Sequence, residues 1–372
     1  MKQKGKVILL VFFISNIFLT GVSAGQAPWP TEEWPKSTPL EQGLHSETLS
    51  ELIDLIREGK TYPNQHSLLI VRNGYLVVEE YFGGNKAGSP HMLQSVSKSF
   101  TSALMGIAMD QGKIKGIDEK VLGFFPDIKG IKNMDDRKKS MRLRDLLTMR
   151  SGTDYHERGA GSPHYQLNAL ERGWDLFYLN RPMTSTPGTQ FLYDSGGVIL
   201  LSAMLKNRTG DHADKYAEKH LFSHLGIKKY QWFKNREDHP HTGGGLSLSS
   251  LDMAKFGLLY LRNGKWGDKQ VVPARWVEES LKKHVTFTGQ SSRRETGYGY
   301  LWWIQDPDPD GSGKLDIISA RGAYGQYIFL IPEHEMVVVV TARTRGNQFN
   351  SAIDYLYSHI LKAVHRNTVE KK

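Results

Sequence analysis

Two β-rich runs joined by an asparagine–glycine pair constrain the fold of this chain more than any other feature. The runs cover residues 67–72 and 75–82, and Asn73-Gly74 lies between them. Asn-Gly favours the left-handed backbone of a two-residue hairpin turn, which predicts that the runs pair as antiparallel strands. Further β-rich runs occur in sequential pairs near the other end of the chain, at 300–304, 315–319, 327–331 and 336–340. The sequence therefore predicts an antiparallel sheet assembled from both ends of the chain.

Helical patterns lie before and between these two groups of strands. Residues 46–53 combine an N-cap candidate with apolar residues at helical spacing, and 143–149 and 251–262 are helical segments of a mainly helical middle region. A final helix is predicted at about 350–364. The predicted fold class is α/β (α+β), an antiparallel sheet flanked by the terminal helices with a mainly helical region inserted. The predicted boundaries are about 45–88 and 295–366 for the sheet region and about 89–294 for the helical region.

Residues 1–24 are predicted to be a secretory signal peptide. This segment has a basic start, an apolar stretch and a small-residue cleavage site, namely Lys2, Lys4 and Lys6, residues 7–18, and residues 22–24. The alternative is a membrane anchor, but the apolar stretch is shorter than the roughly 20 residues that span a bilayer. We therefore expect export to the periplasm or the medium, with no membrane span left after cleavage.

Composition excludes several classes of function. The sequence has no cysteine, which rules out thiol catalysis, disulfide bonds and cysteine-ligated metals. The net charge is +9, and removing the three lysines of the predicted signal peptide lowers it to +6. This charge is spread out and forms no basic stripe of the kind that binds nucleic acid. His239 and His241 lack an accompanying carboxylate pattern, so no metal site is predicted.

A serine and a lysine three residues apart mark a candidate active site. Ser95 and Lys98 fall on one face of a predicted helix, one turn from each other. A serine hydroxyl becomes a nucleophile when a base takes its proton, and a lysine of lowered pKa can be that base. The positive end of the helix would favour the anion formed on attack. The same spacing also fits an ordinary helix face with a solvated lysine, so the functional interpretation depends on other motifs.

Further motifs follow this pair in order along the chain. Tyr193-Asp194-Ser195 comes after a proline–glycine turn, and residues 320–326 lie between two predicted strands. With Ser95 and Lys98, these segments resemble the serine β-lactamase and penicillin-binding-protein superfamily. The resemblance is to its class C-like branch of esterases, D-amino-acid peptidases and 6-aminohexanoate-dimer hydrolases. Other segments that resemble this branch are 146–152, 243–246, 252–257, 263–266 and 297–303.

The resemblance implies a β-lactamase/transpeptidase-like fold over a single hydrolase domain, residues 25–372. It also implies that Ser95 is acylated, that Lys98 and Tyr193 share the proton transfers, and that water then hydrolyses the acyl-enzyme. The backbone N–H groups of Ser95 and Ala323 would form the oxyanion hole. No metal or organic cofactor is expected. The substrate-binding residues that it implies are Ser195, Arg321, Gly322 and Gln326.

Two departures from the family's pattern bear on the substrate. Ser195 stands where this branch has an asparagine, so an amide able to bind the substrate is absent. Ala320 stands where true β-lactamases have the lysine that helps bind the substrate carboxylate, and Arg321, one position on, is expected to point to the other face of the strand. We therefore predict an exported serine hydrolase for a small ester or a linear amide of the aminohexanoate-dimer kind.

Two alternatives to this prediction stay open at the level of sequence. One is a β-lactamase or D,D-peptidase that acts on cell-wall chemistry. The other is a non-catalytic protein that keeps the fold and binds peptidoglycan fragments. A small-molecule partner is expected in each case, nucleic acid is not, and the oligomeric state is left open.

Overall fold

The computed structural model describes residues 28–30, 33–288, 295–305 and 317–364. The predicted signal peptide, residues 1–24, lies outside the described residues. The strands are β1 (Gln65–Arg72), β2 (Tyr75–Tyr81), β3 (His91–Met92), β4 (Gln231–Trp232), β5 (Leu246–Leu248), β6 (Lys265–Trp266), β7 (Lys269–Gln270), β8 (Val285–Thr288), β9 (Glu295–Tyr298), β10 (Trp303–Gln305), β11 (Ile317–Gly322), β12 (Gln326–Ile331) and β13 (Met336–Ala342).

Most of the helices lie between β2 and β8. The α-helices are α1 (Ser46–Glu58), α2 (Ser97–Asp110), α3 (Asp136–Ser140), α4 (Leu143–Leu147), α5 (Pro163–Ala169), α6 (Trp174–Leu179), α7 (Ser195–Thr209), α8 (Ala213–Ala217), α9 (Ser223–Leu225), α10 (Ser250–Leu261), α11 (Ala274–Ser280) and α12 (Ser351–Tyr355). Helix α8 continues as a π-helical turn over Glu218–Phe222, and α12 as another over Leu356–Ile360. Every helix among the described residues is too short or too polar to cross a membrane.

The centre of the fold is an eight-stranded sheet with the order β2-β1-β13-β12-β11-β10-β9-β8. Each neighbouring pair in it is antiparallel. The hairpin predicted at Asn73-Gly74 is confirmed, since both residues have positive φ, +51° and +85°. Ile70 pairs with Val338, which joins the first strand to the last. The prediction of one antiparallel sheet built from both ends of the chain is therefore confirmed.

The sheet separates two hydrophobic layers. Strand side chains point alternately to opposite faces, so Val338 belongs to one layer and Val339 to the other. The layer that includes Val338 contains the terminal helices, with Leu52 from α1 and Tyr355 from α12. The layer that includes Val339 contains α2, α7 and α10, and the predicted nucleophile lies on this side of the sheet. The terminal helices thus cover one face, as predicted, and the inserted helical region covers the other.

Two local predictions need correction. The predicted strand 300–304 begins only at Trp303, because Leu301 has φ of +64°, which an extended strand does not accommodate. The long final helix predicted at 350–364 is an α-helix only over Ser351–Tyr355 before its π-helical turn. The middle region, predicted to be mainly helical, also contains short strands. Of these, β3, β5 and β4 form a small sheet, and β8 belongs to the central one.

Candidate active site

Ser95 lies where a tight turn enters a buried helix. A single 3₁₀ turn, Gln94–Val96, leads directly into α2, and Gln94 has φ of +51°. This left-handed conformation costs a residue other than glycine about 1–3 kcal/mol, and such strain is often found at functional sites. Ser95 remains partly exposed, whereas the residues of α2 from Ser97 to Ala108 are buried. The turn therefore leaves Ser95 partly accessible to solvent at the end of a core helix.

Lys98 is buried directly behind the Ser95 hydroxyl. Its side chain is 1% exposed. The Lys98 Nζ atom donates hydrogen bonds to Ser95 Oγ at 2.7 Å and to the Gly243 carbonyl oxygen at 2.6 Å. Burial lowers the pKa of Lys98 from 10.5 to about 8, although the carboxylates of Glu157 and Asp194 act in the opposite direction. A lysine in this state can lose its proton near neutral pH and accept one from Ser95.

Tyr193 completes a group of three polar side chains around Ser95 Oγ. The Tyr193 hydroxyl lies close enough to Ser95 to interact with it, and Lys98 Nζ lies 5.0 Å from the centroid of the Tyr193 ring. The ring stacks on Trp303 with 5.6 Å between centroids. Burial and the charge of Glu157 raise the pKa of Tyr193 above its usual value of 10, although the neighbouring Ser95 and the charge of Arg321 lower it. The phenol is therefore protonated at neutral pH.

Asp194, which sequence analysis left without a role, anchors the backbone next to Tyr193. It is the N-cap of α7, with Oδ1 accepting the Gly197 N–H at 2.8 Å. Its Oδ2 accepts from Ser151 Oγ at 2.9 Å and from the Tyr178 hydroxyl. Burial raises the pKa of Asp194 to about 6, although these hydrogen bonds lower it. The preference for aspartate at helix N-caps was the sequence signal for this residue.

Glu157 is a second residue of the site that sequence analysis missed. It lies in the segment between α4 and α5, and its Oε1 accepts the backbone N–H of Ser195 at 3.0 Å. Its charge raises the pKa values of both Lys98 and Tyr193. No local pattern marked this carboxylate, because its place at the site depends on a contact between distant parts of the chain.

The end of β11 lies against the backbone that precedes Ser95. A Cβ atom added to Gly322 would lie 2.3 Å from the Leu93 carbonyl oxygen and 3.1 Å from Gln94 Cβ, so no side chain fits there. Ala323 follows Gly322 at once and is therefore brought beside the nucleophile's turn. That the Ala323 N–H forms part of an oxyanion hole stays a prediction, and this close approach of β11 to the Ser95 turn is consistent with it.

The other side chains predicted to bind substrate are held within the protein. Ser195 is 2% exposed and Gln326 is 1% exposed. Arg321 donates to Ser319 Oγ at 2.8 Å and to Gln305 Oε1 at 2.7 Å, and its guanidinium carbon lies 5.3 Å from the Trp303 ring centroid. The Arg321 side chain is thus engaged within the protein, and substrate binding by these residues stays a prediction.

The two histidines considered for a metal site have other neighbours. His239 packs against His212 with 5.1 Å between ring centroids, and His241 Nε2 lies 2.9 Å from Asn168 Oδ1. Within the part of the chain that the structure describes, no three histidine, aspartate or glutamate side chains are grouped so as to hold a metal ion.

Comparison with known proteins establishes the family. The sequence model described as Beta-lactamase matches residues 65–361. The chain belongs to the β-lactamase family. Members of this family with this fold are serine hydrolases, which agrees with the prediction of a nucleophile at Ser95, just before α2.

Two relatives of this β-lactamase-family chain match two thirds or more of its length. The 6-aminohexanoate-dimer hydrolase of Paenarthrobacter ureafaciens is 23% identical over 330 residues, which cover 82% of this chain and 79% of the relative. The β-lactamase of Escherichia coli K12 is 24% identical over 298 residues, which cover 67% of this chain and 74% of the relative.

A solved structure confirms the fold of this β-lactamase-family protein. A Bacillus anthracis protein assigned to the 6-aminohexanoate-dimer hydrolases superposes with a TM-score of 0.71 at 22% identity, covering 91% of this chain and 90% of that one. The predicted β-lactamase/transpeptidase-like fold is thereby confirmed.

Proposed function

We propose that this protein is an exported serine hydrolase that cleaves small esters or linear amides through an acyl-enzyme on Ser95. The observation that carries the proposal is the 2.7 Å hydrogen bond between Lys98 Nζ and Ser95 Oγ. The similarity to the 6-aminohexanoate-dimer hydrolase of Paenarthrobacter ureafaciens supports a linear amide as substrate. Export rests on the predicted signal peptide, residues 1–24, and N-terminal sequencing of the secreted or periplasmic protein tests it.

In the proposed mechanism, Lys98 is the general base for acylation. Neutral Lys98 takes the proton of Ser95 as Oγ attacks the substrate carbonyl carbon, and the N–H groups of Ser95 and Ala323 hold the developing oxyanion. Tyr193 gives its proton to the leaving alcohol or amine and regains one from Lys98. Water then attacks the carbonyl carbon of the acyl-enzyme and gives a proton to Lys98 or Tyr193. That proton passes to Ser95 Oγ as its bond to the acyl carbon breaks, which releases the acid and restores the Ser95 hydroxyl.

The pKa values favour Lys98 over Tyr193 as the group that starts the reaction. With a pKa of about 8, about a tenth of Lys98 is neutral at pH 7, against about 0.03% for a lysine of pKa 10.5. Tyr193, whose pKa lies above 10, is almost fully protonated at the same pH. Tyr193 is therefore better suited to donate a proton to the leaving group than to remove one from Ser95.

The charges around Ser95 support an uncharged substrate over one that carries a carboxylate. The position of the family's lysine is held by Ala320, and Arg321 is already bonded to Ser319 and Gln305. The first N–H of α7, a natural site for an anion, is occupied by Glu157 Oε1. A penicillin carboxylate would gain no cationic partner from these groups and would be repelled by Glu157.

A second candidate is a β-lactamase or D,D-peptidase, and the similarity to the Escherichia coli β-lactamase favours it. A non-catalytic binding protein is a weaker candidate, because Ser95, Lys98 and Tyr193 are assembled with the lysine buried behind the serine.

The experiment that separates these functions is the intact mass of the protein after brief exposure to a p-nitrophenyl ester and, separately, to a penicillin. An adduct or product from the ester, absent in Ser95→Ala and reduced by orders of magnitude in Lys98→Ala, supports the proposal. A stable adduct from penicillin points to cell-wall chemistry. Turnover of the ester by Ser95→Ala at the wild-type rate would overturn the mechanism.

A further inference from the structure

Gln326, the first residue of β12, ties two strands together beside the nucleophile. Its amide nitrogen donates to the carbonyl oxygen of Ala342 at 2.6 Å and to that of Ala323 at 3.4 Å. Backbone pairing between β12 and β13 begins only at Tyr327 and Val340. The Gln326 side chain therefore extends the link between the strands beyond their last paired residues, as far as the turn between β11 and β12.

That turn has a backbone conformation that needs support. Tyr324 and Gly325 have φ of +66° and +91°. The left-handed region is unfavourable for tyrosine because of its Cβ atom. The Thr344 N–H donates to the Tyr324 carbonyl oxygen at 3.0 Å, and the Gln326 amide donates to the carbonyl before it. Two hydrogen bonds from outside the turn therefore hold consecutive carbonyl groups.

The other side of the turn is held by contact with the nucleophile's own segment. A Cβ atom on Gly322 would lie 2.3 Å from the Leu93 carbonyl oxygen and 3.0 Å from Gln326 Cβ. The peptide groups on both sides of Ala323 are thus fixed, one by this packing and the other by the Gln326 amide. We propose that Gln326 is a positioning residue that directs the Ala323 N–H toward the carbonyl oxygen of the substrate bound at Ser95.

This inference rests on the proposed function, in which the Ala323 N–H is half of the oxyanion hole. Such a donor acts only when it lies within about 2.7–3.1 Å of the oxyanion, and removing one lowers kcat by about 10²–10³-fold. Loss of the Gln326 amide would displace this donor without deleting it. We therefore expect a smaller loss of kcat, about 10–100-fold, with little change in KM.

Gln326→Met separates positioning from mere stability. Methionine has a similar length and shape but lacks the donor. It also removes Gln326 Oε1, a buried oxygen for which no hydrogen-bond partner is present among the described residues. The Ala342 carbonyl oxygen keeps His91 Nε2 at 3.2 Å. The variant is therefore expected to unfold at a temperature close to that of the wild type while its turnover falls.

The matched control is Gln270→Met. The Gln270 amide likewise donates to two backbone carbonyl oxygens, those of Asn263 at 2.7 Å and Val272 at 2.6 Å. Gln270, however, lies in the β6–β7 hairpin. The readouts are kcat and KM for a p-nitrophenyl ester and the affinity of phenylboronic acid, which forms a tetrahedral adduct on a nucleophilic serine. We expect Gln326→Met to lower kcat and boronic acid affinity together, and Gln270→Met to leave both unchanged.

The inference is wrong if kcat and boronic acid affinity stay within twofold in Gln326→Met, or fall equally in Gln270→Met. Acylation of wild-type Ser95 would in that case leave the proposed function intact. If wild-type Ser95 is not acylated by the ester, the proposed function and this inference are both wrong. If circular dichroism shows that Gln326→Met is unfolded, Gln326→Asn replaces it, because asparagine keeps the amide but moves it by one methylene. The inference is then wrong if kcat and boronic acid affinity stay within twofold in Gln326→Asn.

Discussion

Replacing Glu157 by glutamine tests the electrostatics of the proposed base. Two carboxylates raise the pKa of Lys98 against the effect of burial, and Glu157 has the larger effect. Glutamine keeps an oxygen that can accept the Ser195 N–H, so the substitution removes the charge and retains the hydrogen bond. We therefore expect the pKa of Lys98 to fall below its wild-type value of about 8.

The consequence is a shift of the pH–rate profile. The kcat/KM of the wild type should rise with pH through a midpoint of about 8, because neutral Lys98 is required. At a fixed pH below that midpoint, lowering the midpoint by one pH unit raises kcat/KM about tenfold. The other titratable groups near Lys98 are Asp194, Tyr193, His164 and His241. The charge of Glu157 also raises the pKa values of Asp194, Tyr193 and His164, so its removal lowers these in the same direction as that of Lys98.

The assay is kcat/KM for an uncharged p-nitrophenyl ester between pH 5.5 and 9.5 at constant ionic strength. Glu171→Gln is the control, since Glu171 is an exposed acid from the neighbouring segment that pairs with Arg236 on the surface. Glu157→Gln should move the acid limb to lower pH, and Glu171→Gln should leave it in place. A wild-type limb near pH 10.5, or identical limbs in wild type and Glu157→Gln, would refute the assignment of Lys98 as a base tuned by burial and by Glu157.

Two further substitutions probe the backbone of the site. In Gly322→Ala the new Cβ would lie 2.3 Å from the Leu93 carbonyl oxygen, so β11 must move away from Ser95. We expect kcat for the ester to fall by at least tenfold and the thermal midpoint to fall as well, and normal kinetics would contradict the close approach. Asp194 has a folded pKa of about 6, above its ordinary 3.8, so its own contribution to stability should decline by up to about 3 kcal/mol as pH rises from 4 to 7. Urea unfolding of wild type and Asp194→Asn across this range checks the sign, because the free energy of unfolding of the wild type minus that of the variant should fall as pH rises.

Some features of this protein depend on residues that lie close together in the sequence, so the sequence alone predicts them. The Asn73-Gly74 hairpin was predictable because its turn geometry depends on the two residues themselves. The pairing of Ser95 with Lys98 was predictable because residues three apart on a helix share a face. The antiparallel sheet followed from sequential strand pairs with short connections. In each case the physical cause lies within a few residues of the feature.

Other features were decided only by the tertiary structure. Lys98 donates to the carbonyl of Gly243, which lies 145 positions away in the sequence, and its pKa falls because the packed chain removes water from around it. Glu157 reaches the site through a hydrogen bond to Ser195, 38 positions along the chain. Motif resemblance pointed to Gln326 as a substrate-binding residue, which stays a prediction, whereas the contacts of its amide with two carbonyl groups follow from sheet packing. Local patterns specify which residues share a face, whereas burial, charge and side-chain partners depend on which distant segments pack together.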